Sequence, residues 1–311
     1  MEKKNPLVSV VILAGPNTNN LEGQRIFFNC LKAVCKSSYK NIEIIIVDNN
    51  CPLSVSEESK KRHPQVHIIR LSTNTGMYAY NVGFMNSRGK YILGLDDDCI
   101  VKKDTISKVV DCFEKNDKKI GAICLNAYDV MEKYYFFNQY LKLSMKNVFI
   151  FATGTVAFRK EALLRVGYYD KDFFCWVVED DLGIRLLQAG YKIYFDKNNI
   201  IYHYSQNNPG VRKRKIFLTM RNRAWFNIKH ISWYYFPLFV AKDIVWFFLY
   251  LFNGSFRKLF WGITGYAAGY ISFVTPIFKR KVVSSNIQKA YLKYFLTFWR
   301  YRKILKVSTS C

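Results

Sequence analysis

The feature that most constrains this chain is the alternation, through its first hundred residues, of short β-branched runs with segments of helical period. Leu7 to Leu13 (LVSVVIL) is bounded by Pro6 and by Gly15-Pro16, the pattern of a strand buried on both faces. Leu21 to Cys35 spaces its apolar residues as a helix does, and Ile42 to Val47 (IEIIIV) is a second buried strand that ends at Asp48-Asn49-Asn50. Val66 to Leu71 predicts a third strand, Met77 to Ser87 a helix, and Tyr91 to Leu95 a fourth strand running into Asp96-Asp97-Asp98. Strand, helix, strand in that order demands parallel pairing through right-handed crossovers. The expected class is therefore α/β, with a mostly parallel central sheet flanked by helices, of the doubly wound kind that binds nucleotides.

Further along, Thr105 to Asn116 reads as a helix, Ile120 to Asn126 and Ala152 to Phe158 as strands, Lys160 to Val166 and Asp181 to Ala189 as helices, and Tyr191 to Phe195 and Ile200 to Tyr204 as short terminal strands. The aromatic stretch between Tyr128 and Phe151 fits helix or strand. The expected organisation is a catalytic domain over residues 1–210 and a basic, aromatic helical region over 211–311.

Charge separates the two regions. The net charge is +24, yet the last acidic residue is Asp243, so everything from Ile244 to Cys311 is neutral or basic. Such a tail suits a surface of phosphates. Its aromatic residues stand in apolar runs rather than scattered between lysines, which favours anionic lipid over nucleic acid, and no nucleic-acid partner is expected. Eight cysteines (Cys30, Cys35, Cys51, Cys99, Cys112, Cys124, Cys175, Cys311) form no CxxC pair and no regular spacing, which excludes a zinc framework or a disulfide scaffold as the organising device. The N-terminus, Met1-Glu2-Lys3-Lys4-Asn5-Pro6, lacks the apolar core of a signal peptide, so the catalytic part is expected in the cytoplasm.

Asp96-Asp97-Asp98 carries the strongest chemical signal. Three adjacent carboxylates at the C-terminal end of a strand repel one another unless a cation sits among them, and ligands of open α/β sheets bind at that edge. Hard oxygen ligands suit Mg²⁺ or Mn²⁺, which would bridge to a diphosphate and neutralise a leaving group. A solvated acidic turn capping the next helix is the alternative. His203, after a strand, is either a packed residue or a further ligand that favours Mn²⁺. Arg88, in Ser87-Arg88-Gly89-Lys90, suits a diphosphate or serves as a solvated loop charge.

In sequence order these segments resemble family 2 of the inverting glycosyltransferases, which have the GT-A nucleotide-diphospho-sugar transferase fold. SVVIL (Ser9 to Leu13) resembles the family's first strand, IEIIIVDNN places Asp48 where the family's acid meets the nucleobase, and NTGMYAYNVGFMNSRGKYILGLDDD (Asn74 to Asp98) resembles its stretch from nucleoside loop to DxD motif. The resemblance covers roughly residues 7 to 205. It implies a nucleotide-diphospho-sugar donor contacted by Val11, Asp48, Asn74, Gly76, Asn81, Arg88, Asp96 and Asp97, and Mn²⁺ or Mg²⁺ held by Asp96, Asp98 and His203. EDDLGIRLLQAGY (Glu179 to Tyr191) resembles the family's ED motif, which supplies the catalytic base. Aligning on Asp181-Leu182-Gly183-Ile184-Arg185 places the base at Glu179, whereas the letters Glu-Asp place it at Asp180. Gly154-Thr155, where glycine would let backbone approach a sugar, and Trp176 are the implied acceptor positions. Asp181 and Arg185, four apart on a helix, read as a structural pair.

Two apolar stretches follow, Trp233 to Phe252 and Leu259 to Phe278, flanked by Arg257-Lys258, Lys279-Arg280-Lys281 and Arg300-Tyr301-Arg302-Lys303. Lys242-Asp243, central in the first, argues against an ordinary membrane span. The expectation is a peripheral or monotopic attachment to the cytoplasmic face of the membrane, with a short hairpin or a soluble helical subdomain as alternatives. The expected activity is transfer of a sugar from the nucleotide diphosphate to a glycan or lipid-linked hydroxyl. A polyprenyl-phosphate acceptor, or a catalytically silent nucleotide-binding scaffold, are the competing readings.

Overall fold

The computed structural model describes residues 5–51, 55–137, 147–205, 211–250 and 255–308; Cys311, Phe252 and the four residues before Asn5 lie outside them. Two compact units account for the chain, one formed by Met1–Lys171 with Ala189–Gln206, the other by Asp172–Gln188 with Asn207–Cys311. The segment 172–188, placed in the catalytic domain on sequence grounds, thus groups with the C-terminal helices.

The first unit is built on a ten-stranded sheet. Its strands are β1 (Val8–Ala14), β2 (Ile42–Asp48), β3 (His67–Arg70), β4 (Tyr91–Asp96), β5 (Cys99–Ile100), β6 (Ile120–Asp129), β7 (Tyr134–Tyr135), β8 (Asn147–Val148), β9 (Thr155–Arg159) and β10 (Lys192–His203), in the order β3-β2-β1-β4-β9-β6-β10-β5, with β7 on β6 and β8 on β10. β3, β2, β1 and β4 are parallel neighbours, whereas β9 runs antiparallel to both β4 and β6. The sheet is therefore mixed, not mostly parallel, because β9 runs back between β4 and β6. The two expected terminal strands are one, β10, interrupted by a register shift between Asp196 and Ile200.

Among the described residues, helices α1 (Leu21–Cys35), α2 (Ser56–Arg62), α3 (Ala79–Asn86), α4 (Thr105–Lys115) and α5 (Lys160–Val166) belong to this unit. Asn20 caps α1, its side chain accepting from Gly23 N at 2.8 Å, and Ile26, Phe27, Cys30, Leu31 and Val34 form the buried face. On α3, a Cβ at Gly83 would stand 2.3 Å from Val11 Cγ1, so glycine is what lets this helix lie directly on β1.

The second unit contains α6 (Val178–Gln188), α7 (Val211–His230), α8 (Phe236–Tyr250), α9 (Phe256–Ile271), α10 (Val274–Phe278) and α11 (Ser285–Ser308). Among the described residues no helix is long and apolar enough to cross a membrane. Lys242 and Asp243 sit on the inner side of α8. Asp243 is fully buried and takes Lys242 Nζ at 2.7 Å, Arg223 Nη1 at 3.2 Å and Asn227 Nδ2 at 2.7 Å. Burial alone would raise its carboxyl; the two cations outweigh that and hold it below the ordinary range. Removing one member of such a cluster strands the others in a dry interior. Asp243→Asn is expected to cost about 3 to 5 kcal/mol of stability, measured as a shift in the urea unfolding midpoint.

Candidate active site

Register alone assembles the acidic edge. Leu13 of β1 lies opposite Asp96 of β4, and Ala14 opposite Asp48 of β2, so Asp48 and Asp96 flank the end of β1 about 10 Å apart, two strand spacings. This is the point where strand order reverses, with β2 on one side of β1 and β4 on the other, the usual crevice of an open α/β sheet.

Asp97 and Asp98 are buried and Asp96 is half-buried, and the three are differently held. Asp96 Oδ1 accepts from Tyr80 OH at 2.7 Å; Asp97 accepts from Gly15 N at 2.8 Å and Asn17 Nδ2 at 3.0 Å; Asp98 Oδ2 accepts from Asn17 at 3.1 Å. Burial pushes all three carboxyls up, Asp97 to about 7 and Asp98 well above the usual range, where repulsion from Asp97 and Asp96 adds to it. A divalent ion would reverse that balance.

His203, at the end of β10, completes the group. Its Nε2 lies 3.3 Å from Asp98 Oδ1 and its Nδ1 3.2 Å from Asp129 Oδ2. Asp129 is fixed in turn by Ser205 Oγ and by the amides of Met131 and Glu132. An Nδ1–H donated to Asp129 leaves the Nε2 lone pair aimed at Asp98, the carboxylate–histidine arrangement that orients imidazole toward a metal. Asp96, Asp98, Cys99 and His203 each offer a donor atom within 4.8 Å of the others. Two carboxylates and an imidazole are a donor set that fits Mn²⁺, with the softer Cys99 sulfur beside them. Asp129, Ser205 and Asn17 were not singled out from sequence. No motif marks them, because they depend on β6, β10 and the β1–α1 turn converging in space.

The remaining positions divide clearly. Asn74 and Gly76 dock beside Asp48: Asn49 Nδ2 reaches Asn74 Oδ1 at 3.1 Å, and Asn74 Oδ1 accepts from Gly76 N at 2.9 Å, with Gly76 at φ 63°. Asp48 is fully enclosed and takes Arg70 Nη1 at 2.8 Å, Ser56 Oγ at 2.8 Å and Cys51 N at 2.9 Å, so it orders the rim rather than presenting a bare carboxylate. Val11 is sealed beneath α3, its methyl occupying the place a Gly83 Cβ would take, and faces no opening. Asn81 spends both ends of its amide on the Tyr169 backbone, at 2.7 and 3.0 Å. Arg88 pairs with Glu43 at 2.8 Å at the start of the strands. It precedes Tyr91, and β4 carries the chain about 17 Å from Tyr91 to Asp96 at 3.3 Å per residue; the expected diphosphate contact belongs to the other edge of the sheet.

Gly154 has a reason different from the expected sugar contact. A Cβ there would fall 2.1 Å from Asp96 Cγ, so the glycine makes room for the carboxylate itself. Thr155 beside it is buried. Gly154→Ala is expected to displace Asp96 and weaken Mn²⁺ binding, and Asp129→Asn to weaken it about 10- to 100-fold by freeing the imidazole; calorimetric titration with Mn²⁺ reads both.

In the second unit, α6 begins three residues before the expected Asp181, which brings Glu179, Asp180 and Asp181 into its first turn, where carboxylates complement the helix dipole. Their surroundings differ. Asp181 is fully buried, paired with Arg185 Nη2 at 2.6 Å, with His230 Nε2 at 2.8 Å and with Lys229; although burial opposes it, these charges hold its carboxyl well below the usual range. Asp180 is buried and accepts from Tyr291 OH. Glu179 alone of the three is partly exposed. Ahead of α6, Phe174, Trp176 and Val177 all have left-handed φ, 60°, 60° and 65°, a costly conformation for side chains of this bulk. Asn222 of α7 secures it: its buried Nδ2 lies 2.9, 2.7 and 2.8 Å from the carbonyl oxygens of Phe173, Cys175 and Trp176. Asn222→Ala is expected to relax this loop, visible as faster proteolysis near Trp176 while Mn²⁺ affinity is unchanged.

Comparison with known proteins agrees with this architecture. Residues 25–173 match the profile of "Glycosyl transferase family 2". An uncharacterized glycosyltransferase of Haemophilus influenzae is 24% identical over 263 residues, 73% of this chain and 78% of its own. Among solved structures, the mannosyltransferase PcManGT of Pyrobaculum calidifontis, in complex with GDP-Man and Mn²⁺, superposes with a TM-score of 0.59 at 15% identity, covering 94% of this chain and 85% of that one. Residues 1–349 of S. aureus TarS, in complex with UDP-GlcNAc, give 0.62 at 12% identity, covering 95% and 91%. A nucleotide-type crevice and an aspartate cluster at the strand-order reversal thus lie within or beside the segment, residues 25–173, that is similar to glycosyl transferase family 2.

Proposed function

We propose that the protein is a Mn²⁺-dependent inverting glycosyltransferase, taking a sugar from a nucleotide diphosphate and placing it on the hydroxyl of a glycan or lipid-linked acceptor. The observation that carries this reading is the convergence of Asp96, Asp98 and His203 within 4.8 Å, at the sheet edge where Asp48 orders the adjoining rim. The fit of two carboxylates and one oriented imidazole to a single divalent ion supports the metal, and the GDP-Man and Mn²⁺ of the mannosyltransferase complex support the same donor class.

Asp96, Asp98 and His203 would hold the ion, which when bound neutralises charge on the diphosphate leaving group. The rim of Asp48, Asn74 and Gly76 would take the nucleoside. One carboxylate must accept the acceptor hydroxyl's proton as the sugar carbon is attacked from the face opposite the leaving group. Of the two candidates Glu179 is the better, because Asp180 is buried against Tyr291 and Glu179 retains access to solvent.

Asp98→Asn is expected to abolish transfer and to remove the Mn²⁺-dependent rise in melting temperature that UDP or GDP produces. Glu179→Gln should lower kcat by about 10²- to 10⁴-fold while donor affinity stays constant. Full turnover in Asp98→Asn would end the metal assignment; an unaltered rate in Glu179→Gln would move the base elsewhere.

A further inference from the structure

The exposed faces of the C-terminal helices are inverted with respect to ordinary soluble helices. On α1 the exposed residues are Leu21, Glu22, Arg25, Asn29 and Lys32, and on α11 they include Ser285, Asn286, Lys289 and Lys293, the polar outer stripe that water selects. On α8 they are Pro237, Leu238, Ala241, Ile244, Val245 and Phe248, without one polar side chain. On α9 the outer stripe is Phe256, Phe260, Ile263, Ala267 and Ile271, interrupted only by Arg257. Their spacing of four, three, four and four is that of one helix face. α10 adds Val274 and Phe278.

The stripe on α9 is held outward by the packing of its opposite face. Gly262, Gly265 and Gly269 are the buried side, where a Cβ would stand 2.2 Å from the Phe247 ring, 2.4 Å from Phe217 O and 2.6 Å from Ala224 Cβ. α9 is thus seated on α7 and α8 through glycines, and the bulky residues have nowhere inside to go. Many scattered apolar side chains would be unremarked on a protein surface, but contiguous faces of this extent mark an interaction site.

We propose that α8, α9 and α10 form a monotopic face that seats in the surface of an anionic lipid bilayer. Charge selects this occupant. From Ile244 onward the chain has eleven lysines and arginines and no acid, of which Lys279 pairs with Asp172, so two copies of the face would bring an excess of like charges together, whereas anionic head groups supply countercharge. Length selects the orientation. α8 has 15 residues and α9 has 16, about 22 and 24 Å at 1.5 Å per residue against about 30 Å of hydrocarbon, so they lie along the surface and do not cross it. The exposed aromatic side chains of Trp233 and Tyr234, just before α8, are of the type enriched at head-group level. An apolar cavity of about 310 Å³ between α8 and α11, walled by Leu238, Val245, Leu292, Phe295 and Leu296, opens beside this face and offers room to part of an acyl chain.

Flotation of the full-length protein with phosphatidylcholine vesicles, with and without phosphatidylglycerol, tests the assignment. The parent is expected to partition onto the anionic vesicles and to be released by salt. The double variant Phe260→Glu with Ile263→Glu should lose about tenfold or more of that partitioning, and Arg257→Gln with Lys281→Gln about fivefold for each charge. Both variants alter exposed positions, so their unfolding midpoint and Mn²⁺ affinity should match the parent. Equal partitioning of parent and Phe260→Glu/Ile263→Glu would overturn the proposal. So would failure of the parent to float, or light scattering that shows a dimer dispersed by the same substitutions.

Discussion

Three carboxylates set side by side at a strand end, two of them buried and one half-buried, are the constraint around which the first unit is arranged. Their mutual repulsion in a low-dielectric setting is severe, and burial has already driven Asp97 to about 7. The surrounding chain responds with directed donors: Tyr80 OH on Asp96, the Gly15 amide and Asn17 on Asp97, Asn17 again on Asp98. These neutral donors lessen the cost without cancelling a charge. What is arranged beside them is an imidazole anchored from behind by Asp129 and a glycine, Gly154, whose missing Cβ is the space Asp96 fills. Every such feature preserves a place where a doubly charged cation would be stabilised.

The parts of this that could be read in sequence are those that local physics writes locally. β-branched runs ending in turn residues marked β1, β2 and β4, and helical spacing marked α1 and α4. The triplet Asp96-Asp97-Asp98 announced its own electrostatic problem, and its position after Tyr91 to Leu95 is the C-terminal end of β4, beside the end of β1. Strand direction was not legible. β9 carries the same apolar run whether it enters parallel or antiparallel, and only its pairing with β4 and β6 makes the sheet mixed.

The misplaced residues fail for a related reason. Arg88 has the right chemistry for a phosphate, but three residues before β4 is the wrong end of that strand, and Glu43 claims it there. Asn81 and Val11 fall in segments that match a nucleotide-binding pattern, yet their side chains clasp Tyr169 and underlie α3. A motif fixes the path of the backbone better than the direction of each side chain. Asp129 and Asn222 show the converse: each does its work through contacts more than forty residues away, and nothing adjacent to either in the chain signals the role.

The acidic cluster on α6 shows how one short sequence can be given three fates by its surroundings. Helix geometry points successive residues about 100° apart, so Glu179, Asp180 and Asp181 cannot share an environment. Asp181 turns inward to Arg185, Lys229 and His230, and Asp180 to Tyr291. The buried pair anchors the first turn of the helix, while Asn222 fixes the strained loop leading into it. Two carboxylates spent on structure are what hold the third, Glu179, in a defined position with access to solvent. That division of labour separates the surroundings of Glu179 and Asp180 in a way that the letters Glu-Asp could not.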